Sequence, residues 1–360
     1  MACSTSSTKY DLLQMTHKKA SNSRDTNLAL LNGEPVQRWP CFSGLINVTV
    51  PGLESVGLRF SEVHTDPQKM AHASASTYRM FGFESAVAPL DMCVEAGLLG
   101  AQVDLREDAK SAEFPRLAAP LAASSAELVV DLPIGIRHSA RVSTVIEAIR
   151  ILKSDVGDKI VVGGWVPGPF TLACLLIVQD NLVMETRTDP DSVSRVLDLL
   201  TDLLLEVTFA YRDAGADFIT VHEMGGSPGF IGPPAFEQLV LPRLHRLLGA
   251  LPRPRVLSVC GNTNRSMQLF AQSGADALSV DHTNDLAHSR DTLGADTVLL
   301  GNLDPVATLS KGDEPSVRRS VADVIASGAD AIWPGCDLLP QVPAANMHAL
   351  VDEARRHQRE

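Results

Sequence analysis

The chain is predicted to be an α/β protein, a single-domain (β/α)8 TIM barrel with an N-terminal extension, on three observations. A Gly-Ala-Asp tag followed by an apolar run occurs four times, as GADFITVHE from 215, GADALSVDH from 274, GADTVLLGN from 294 and GADAIWPGC from 328. Untagged apolar runs at VQRWPCFSG near 36, FESAVAPLD from 83, KIVVGGWVPG from 159 and RVLSVCGN from 255 bring the strands to eight. Helical patterns separate them, such as DSVSRVLDLLTDLLLEVTFAYRDA, with leucines at helical spacing and an acidic start.

Each element has a physical reason. The tag glycine suits the left-handed cap of the preceding helix, and Ala-Asp makes a short turn. The continuous apolar run that follows is the pattern of a parallel strand covered on both faces. Eight such strands alternating with helices read as a barrel, whereas a doubly wound dinucleotide fold would need a Gly-x-Gly-x-x-Gly after its first strand. Residues 1–25, rich in Ser, Thr and Lys without an apolar period, are expected to form a flexible arm. From 26 to 360 no linker or shift in composition marks a boundary, so one barrel domain is expected.

Composition narrows the partners. The 31 Lys and Arg against 43 Asp and Glu give a net charge of −12, which disfavours a sequence-independent grip on nucleic acid or anionic lipid. No apolar run approaches the roughly 18 to 20 residues of a membrane span, and the N-terminus lacks a signal-peptide core, so a cytoplasmic protein is expected. The six cysteines, Cys3, Cys41, Cys93, Cys174, Cys260 and Cys336, lack tight spacing and suggest free thiols or metal ligands rather than disulfides.

In a barrel of this kind chemistry gathers at the C-terminal ends of the strands. Those ends carry Asp91 and Glu95 after the second strand, Trp165 and Pro167 after the third, and His222 and Glu223 after the fourth. Cys260 follows the fifth, Asp281 and His282 the sixth, Asn302 and Asp304 the seventh, and Cys336 and Asp337 the eighth. Thiolates, imidazoles and carboxylates converging on one mouth suit Zn²⁺, which in a catalytic site needs three protein ligands and one open position. Taken singly, each has a plainer role: a strand cysteine packs as a small hydrophobe, a rim histidine hydrogen-bonds, and Asp281 or Asp304 caps a helix. Only their joint placement favours a metal. Asp91, Trp165 and Asn302, with Met92, are expected to line a substrate cavity of mixed polarity.

The motifs SVCGNT, SPGFIGPPAFEQLVLPRL, LLGNLDP and PGCDLLP resemble signatures of the uroporphyrinogen decarboxylase superfamily, in its cobamide-dependent methyltransferase branch, from about residue 28 to the end. That resemblance implies a zinc held through a His-x-Cys-Gly motif, a later Pro-Gly-Cys and an acidic residue after the sixth strand. Cys260, Cys336 and Asp281 match three of these positions, while Ser258 stands where the branch has histidine. His222 or His282 would then supply the imidazole. His222 is favoured because it sits at the height of Cys260 on the adjacent strand, whereas Asp281 and His282 alternate and cannot both face the mouth.

Glu223 matches an acidic family position and is expected to act as a base or orient a ligand, with a rim salt bridge to Arg255 as the plainer alternative. Asp281 is carried as both metal ligand and catalytic carboxylate. The implied function is a zinc-dependent methyltransferase that moves a methyl group between a methylated corrinoid on a separate protein and a small thiol, such as coenzyme M, or a folate. Three alternatives stand beside it: another alkyl-thiol transferase of the superfamily, a decarboxylase, and a metal-free binding member. Decarboxylation ranks lower because RWPCFSGLINV replaces the Arg-rich stretch that would bind a polyanionic porphyrinogen.

Overall fold

The computed structural model describes residues 22–109, 111–132 and 134–359. Seven parallel strands form one curled sheet in chain order: Ser85–Ala88, Val161–Pro167, Phe218–Glu223, Arg255–Val259, Ala277–Val280, Val298–Leu303 and Ala331–Pro334. These occupy the second to eighth barrel positions. All but the edge residue Arg255 are buried, as strands covered by helices on one side and a filled interior on the other must be.

The first position is filled differently from the expected strand near 36. Cys41 bridges Ile332 in parallel, Ile332 N–H donates to Pro40 O and Phe42 N–H to Ile332 O, so residues 40–43 dock on the last strand. On the other side Glu84 N–H donates to Cys41 O, but the next link runs through a side chain: Ser85 Oγ accepts from Ser43 N–H and donates to Ser43 O. Pro40 has no N–H to give a ladder, so the barrel closes through a short bridge. Phe42 then packs edge-on against Trp333 and Phe218, at 5.1 and 6.4 Å between ring centres, and fills the interior.

The tags behave as the sequence predicts and do more. Gly215, Gly274, Gly294 and Gly328 all have positive φ, between 78° and 109°, which non-glycine residues rarely adopt. The tag aspartate is a clamp as well as a turn. Asp217, Asp276 and Asp330 each donate their backbone N–H to the carbonyl of Val162, Arg255 or Leu299 on the preceding strand, and their carboxylates accept the N–H of that same residue at 2.9 Å. Cations neutralise these partly buried charges: Arg24 and Lys153 at Asp217, Arg253 and Arg255 at Asp276, and Arg290 and Arg359 at Asp330. Asp296, the fourth copy, is exposed.

Of the expected arm, residues 1–21 lie outside the described residues. Asn22 caps the helix Ser23–Leu31, whose Arg24 reaches Asp217. The long helix Pro190–Asp213 starts at an Asp189 cap and buries its leucine face. Between the second and third barrel strands the chain makes an excursion whose small antiparallel hairpin pairs Val103–Asp104 with Arg116–Leu117. Among the described residues no helix is long and apolar enough to cross a membrane.

The clamp makes a prediction. Asp276→Ala leaves two arginines and a strand-end N–H without their partner, and should lower stability by about 3 kcal/mol, whereas Asp296→Ala should change it by less than about 0.5 kcal/mol. Urea unfolding of the two variants tests this, and equal losses would refute the clamp.

Candidate metal centre

Parallel pairing puts the ends of the fourth and fifth strands at one height: His222 is in register with Ser258, and Ser258 with Ser279. Cys260 lies one full side-chain alternation beyond Ser258, so it emerges on the same face at the mouth. Gly261 follows with φ +82°, a left-handed turn that carries the chain off the strand just past the thiol. Cys336 arrives from the loop after the eighth strand.

The result is one compact group. Cys260 Sγ lies 3.3 Å from Cys336 Sγ and 3.7 Å from His222 Nε2, and Cys336 Sγ is 3.9 Å from the same nitrogen. Among the described residues this is the group of three or more potential ligand side chains whose atoms all lie within 4.8 Å of one another. Metal–ligand bonds of about 2.0 to 2.3 Å in a tetrahedron require donor separations of about 3.5 to 3.8 Å, so the two sulfur–nitrogen separations are close to those of a zinc site with one open position, and the sulfurs would have to part by about 0.5 Å. His222 is buried and edge-on to Trp165, with ring centres 6.3 Å apart. Its Nδ1 has no hydrogen-bond partner among the described residues, unlike the second nitrogen of most imidazole ligands.

The donors are also poised electrostatically. The S–H of Cys260 supports a thiolate on Cys336, so the Cys336 thiol falls well below its ordinary range while that of Cys260 is driven up. Burial opposes charge on His222, but its contact with Cys336 outweighs this and raises the imidazole. Cys174, which faces the adjacent cavity, is pushed by burial up to about 12 and stays a neutral thiol. Burial, then the Cys336 thiolate, pushes Asp337 up to about 7, where its carboxylate accepts Ile46 N–H.

Several expected site residues have other duties. Asp281 does not enter the ligand group: its carboxylate accepts Gly261 N–H at 3.0 Å and the N–H and hydroxyl of Thr283 at 2.8 Å, which fixes the turn after Cys260. Asn302 donates to the carbonyls of Asp281 and Asn284, and Asn284 in turn holds Gly261 O and Thr263. Glu223 is buried and accepts from Phe170 N–H, Thr171 Oγ1 and Gly226 N–H, which ties the loops after the third and fourth strands together. Arg255 does not pair with it, being taken by Asp276.

Asp91 is fully buried and paired with His64 and Arg141, which outweigh the cost of burial and lower its pKa. Trp165 Nε1 donates to Pro89 O, 2.7 Å away. His282 sits between Asp281 and Asp304, at 3.2 and 3.5 Å, outside the ligand group. Asp304 caps the next helix by accepting from Val306 and Ala307. These side chains lie at or near the strand ends, and most of them are hydrogen-bonded to the loops there.

Beside the ligands lies a cavity of 520 Å³ that has Cys260 in its wall, along with Met92, Cys174, Leu175, Met224 and Phe230. Of the residues expected around a substrate, only Met92 lines it. Cys174 and Leu175 come from the helix Pro169–Leu176, and Phe230 from SPGFIGPP. The helix residues carry no signal that sequence reasoning could have used, but the SPGF motif does.

Glu95, buried behind Asp91, is pushed by burial up to about 8. A carboxyl whose folded pKa lies above its ordinary 4.5 costs stability as pH rises between those values, and the loss is complete above about 8. Relative to Glu95→Gln, the wild type should therefore lose about 3 kcal/mol between about pH 5 and pH 8. Denaturation curves at each pH check this; parallel pH profiles for the two proteins would rule it out.

Comparison with known proteins gives the following. The family model described as Uroporphyrinogen decarboxylase (URO-D) matches residues 22–357. The chain is 28% identical over 325 residues to a methylcobamide:CoM methyltransferase of Methanosarcina barkeri, covering 90% of this chain and 95% of the relative. It is 27% identical over 312 residues to a uroporphyrinogen decarboxylase of Syntrophotalea carbinolica, covering 83% and 87%. A solved structure of a methyltransferase from Methanosarcina mazei superposes with a TM-score of 0.87 at 25% identity, over 93% of this chain and 98% of that one.

Proposed function

The chain belongs to the uroporphyrinogen decarboxylase family, and from that premise we propose that it is a zinc-dependent methyltransferase that passes a methyl group from a methylated corrinoid on a partner protein to a small thiol. One observation carries the reading: His222, Cys260 and Cys336 present three donor atoms within 4.8 Å of one another beside an open cavity. The methylcobamide:CoM methyltransferase among its relatives supports the donor and the acceptor class.

Cys260 and Cys336 would hold the metal as thiolates and His222 through Nε2. Zinc, when bound, supplies a Lewis acid that keeps an acceptor thiol deprotonated near neutral pH. The Cys260 and Cys336 thiolates would offset the charge of the dication and leave an acceptor sulfur nucleophilic; transfer would form a C–S bond as the donor's carbon–cobalt bond breaks, with its electron pair left on cobalt and the thiol proton released to solvent. The buried pins at Glu223, Asp281 and Asn302 act on position: they hold the loops that carry the ligands, and alignment is a large part of what such a reaction needs.

The decarboxylase reading has less support. A polyanionic substrate needs cations at the mouth, and the charged side chains beside the ligands are Asp281, Asp304 and Asp337, with His282 held between two of them.

Metal analysis tests the proposal and separates it from a metal-free binding member. Zinc should be near-stoichiometric in the purified protein, and Cys260→Ala, Cys336→Ala and His222→Ala should each weaken it by about a hundredfold or more. Methylcobalamin with a panel of thiols should lose its methyl–cobalt absorbance only when zinc is present. Because Ser258 pairs in register with His222, adding Ser258→His to His222→Ala should restore zinc. Full zinc retention by His222→Ala would remove His222 from the ligand set.

A further inference from the structure

We infer that the acceptor of this protein is an uncharged alkyl thiol, and that a thiol carrying a sulfonate or carboxylate is disfavoured. The inference rests on the zinc–thiol reading above and names its substrate class. It comes from what surrounds the only ligand that lines the cavity, Cys260.

An acceptor whose sulfur sits beside Cys260 has the 520 Å³ cavity next to it for the rest of its chain. Its walls there are Met92, Cys174, Leu175, Met224 and Phe230, and none of its lining residues is Lys, Arg, His, Asp or Glu. The polar groups that remain are largely committed. Thr171 Oγ1 donates to Glu223 and accepts the N–H groups of Met224 and Gly225, and Ser227 Oγ accepts Gly229 N–H. Burial holds Cys174 as a neutral thiol.

Nearby cations are directed elsewhere. Arg141 is paired with buried Asp91, and Arg265 lines a separate depression with His288. Beside the Cys260 loop the nearby charge is negative, with the Asp281 carboxylate on Gly261 N–H. An anionic tail in this cavity would meet no cation, only the neutral amides of Gln179 and Asn262 at its exposed rim, whereas an alkyl tail would bury apolar surface against methionine, leucine and phenylalanine. The relative in Methanosarcina barkeri is named for transfer to coenzyme M, a thiol with a sulfonate tail; on this geometry the present chain has moved to a different acceptor.

Equilibrium binding decides the matter without turnover. Zinc-loaded wild-type protein is titrated calorimetrically with ethanethiol and propanethiol, and with 2-sulfanylethanesulfonate and 3-sulfanylpropanoate. The uncharged thiols should bind at least about tenfold more tightly than anions of matched length. Gln179→Arg adds a cation at the exposed rim of the cavity and should narrow that ratio by tightening the anions alone. Anionic thiols bound as tightly as uncharged ones by the wild type, or a ratio that Gln179→Arg leaves unchanged, would overturn the inference and leave the zinc–thiol reading standing. Protein that takes up zinc but binds no thiol of either kind would remove the reading and the inference together.

Discussion

The arrangement depends on the register of a parallel sheet. Because His222, Ser258 and Ser279 lie opposite one another on consecutive strands, residues with the same parity reach the mouth at the same height. A ligand can therefore move one strand sideways without leaving the site, provided that it stays in its layer. An imidazole at 222 fills the space that an imidazole at 258 would otherwise reach from the next strand. A shift of one residue along either strand would turn the donor into the helical layer, so register constrains the ligand set more tightly than residue type does.

Register needs something to set it, and between the third and fourth, fifth and sixth, and seventh and eighth strands the tag aspartates do so from the opposite end. The pairing of His222 with Ser258, between the fourth and fifth, has no such clamp among the described residues and rests on the ladder itself. Each of the three engaged tags makes two hydrogen bonds to one residue of the preceding strand, so that strand cannot slip relative to its neighbour without leaving a buried carboxylate unpaired. At the mouth a second set of buried polar groups does the same for loops. Asp281, Asn284 and Asn302 join the turns after the fifth, sixth and seventh strands, and Glu223 joins those after the third and fourth. Rigid ends on both sides are what allow two sulfurs and a nitrogen from three different strands to meet within 4.8 Å.

This division explains what could be read from the sequence. Seven strands, and the glycine caps before four of them, are legible because a positive φ and a doubly buried strand each demand particular residues over a short span. The first strand was less so: its pairing runs through Pro40, Cys41 and the Ser85 hydroxyl, and no periodicity encodes a side chain that stands in for a ladder bond. The approach of His222 to Cys260 followed from alternation and height. The work of Asp91, Trp165 and Asn302 did not, because parity says which side chains face the axis but not which loop N–H and C=O groups will claim them. The cavity walls come from Pro169–Leu176 and from residues 224–230, where the path of the loop rather than any pattern decides what faces inward.

The same polar contacts set the His222, Cys260 and Cys336 group apart from the cavity beside it. Asp281, Asn284 and Asn302 around the thiols are hydrogen-bonded to loop backbone, so they hold the turns that carry Cys260. The cavity beside them is walled by sulfur, aliphatic and aromatic groups with the neutral side chains of Thr171, Gln179, Ser227 and Asn262, so a ligand there would be selected by shape and desolvation rather than by ion pairing. An acidic barrel with net charge −12 reinforces this, since its field also opposes an anion approaching the mouth. The carboxylates at the mouth are thus engaged with loop N–H groups while the cavity beside them carries no ionised side chain, and both follow from where the sequence places its acidic residues.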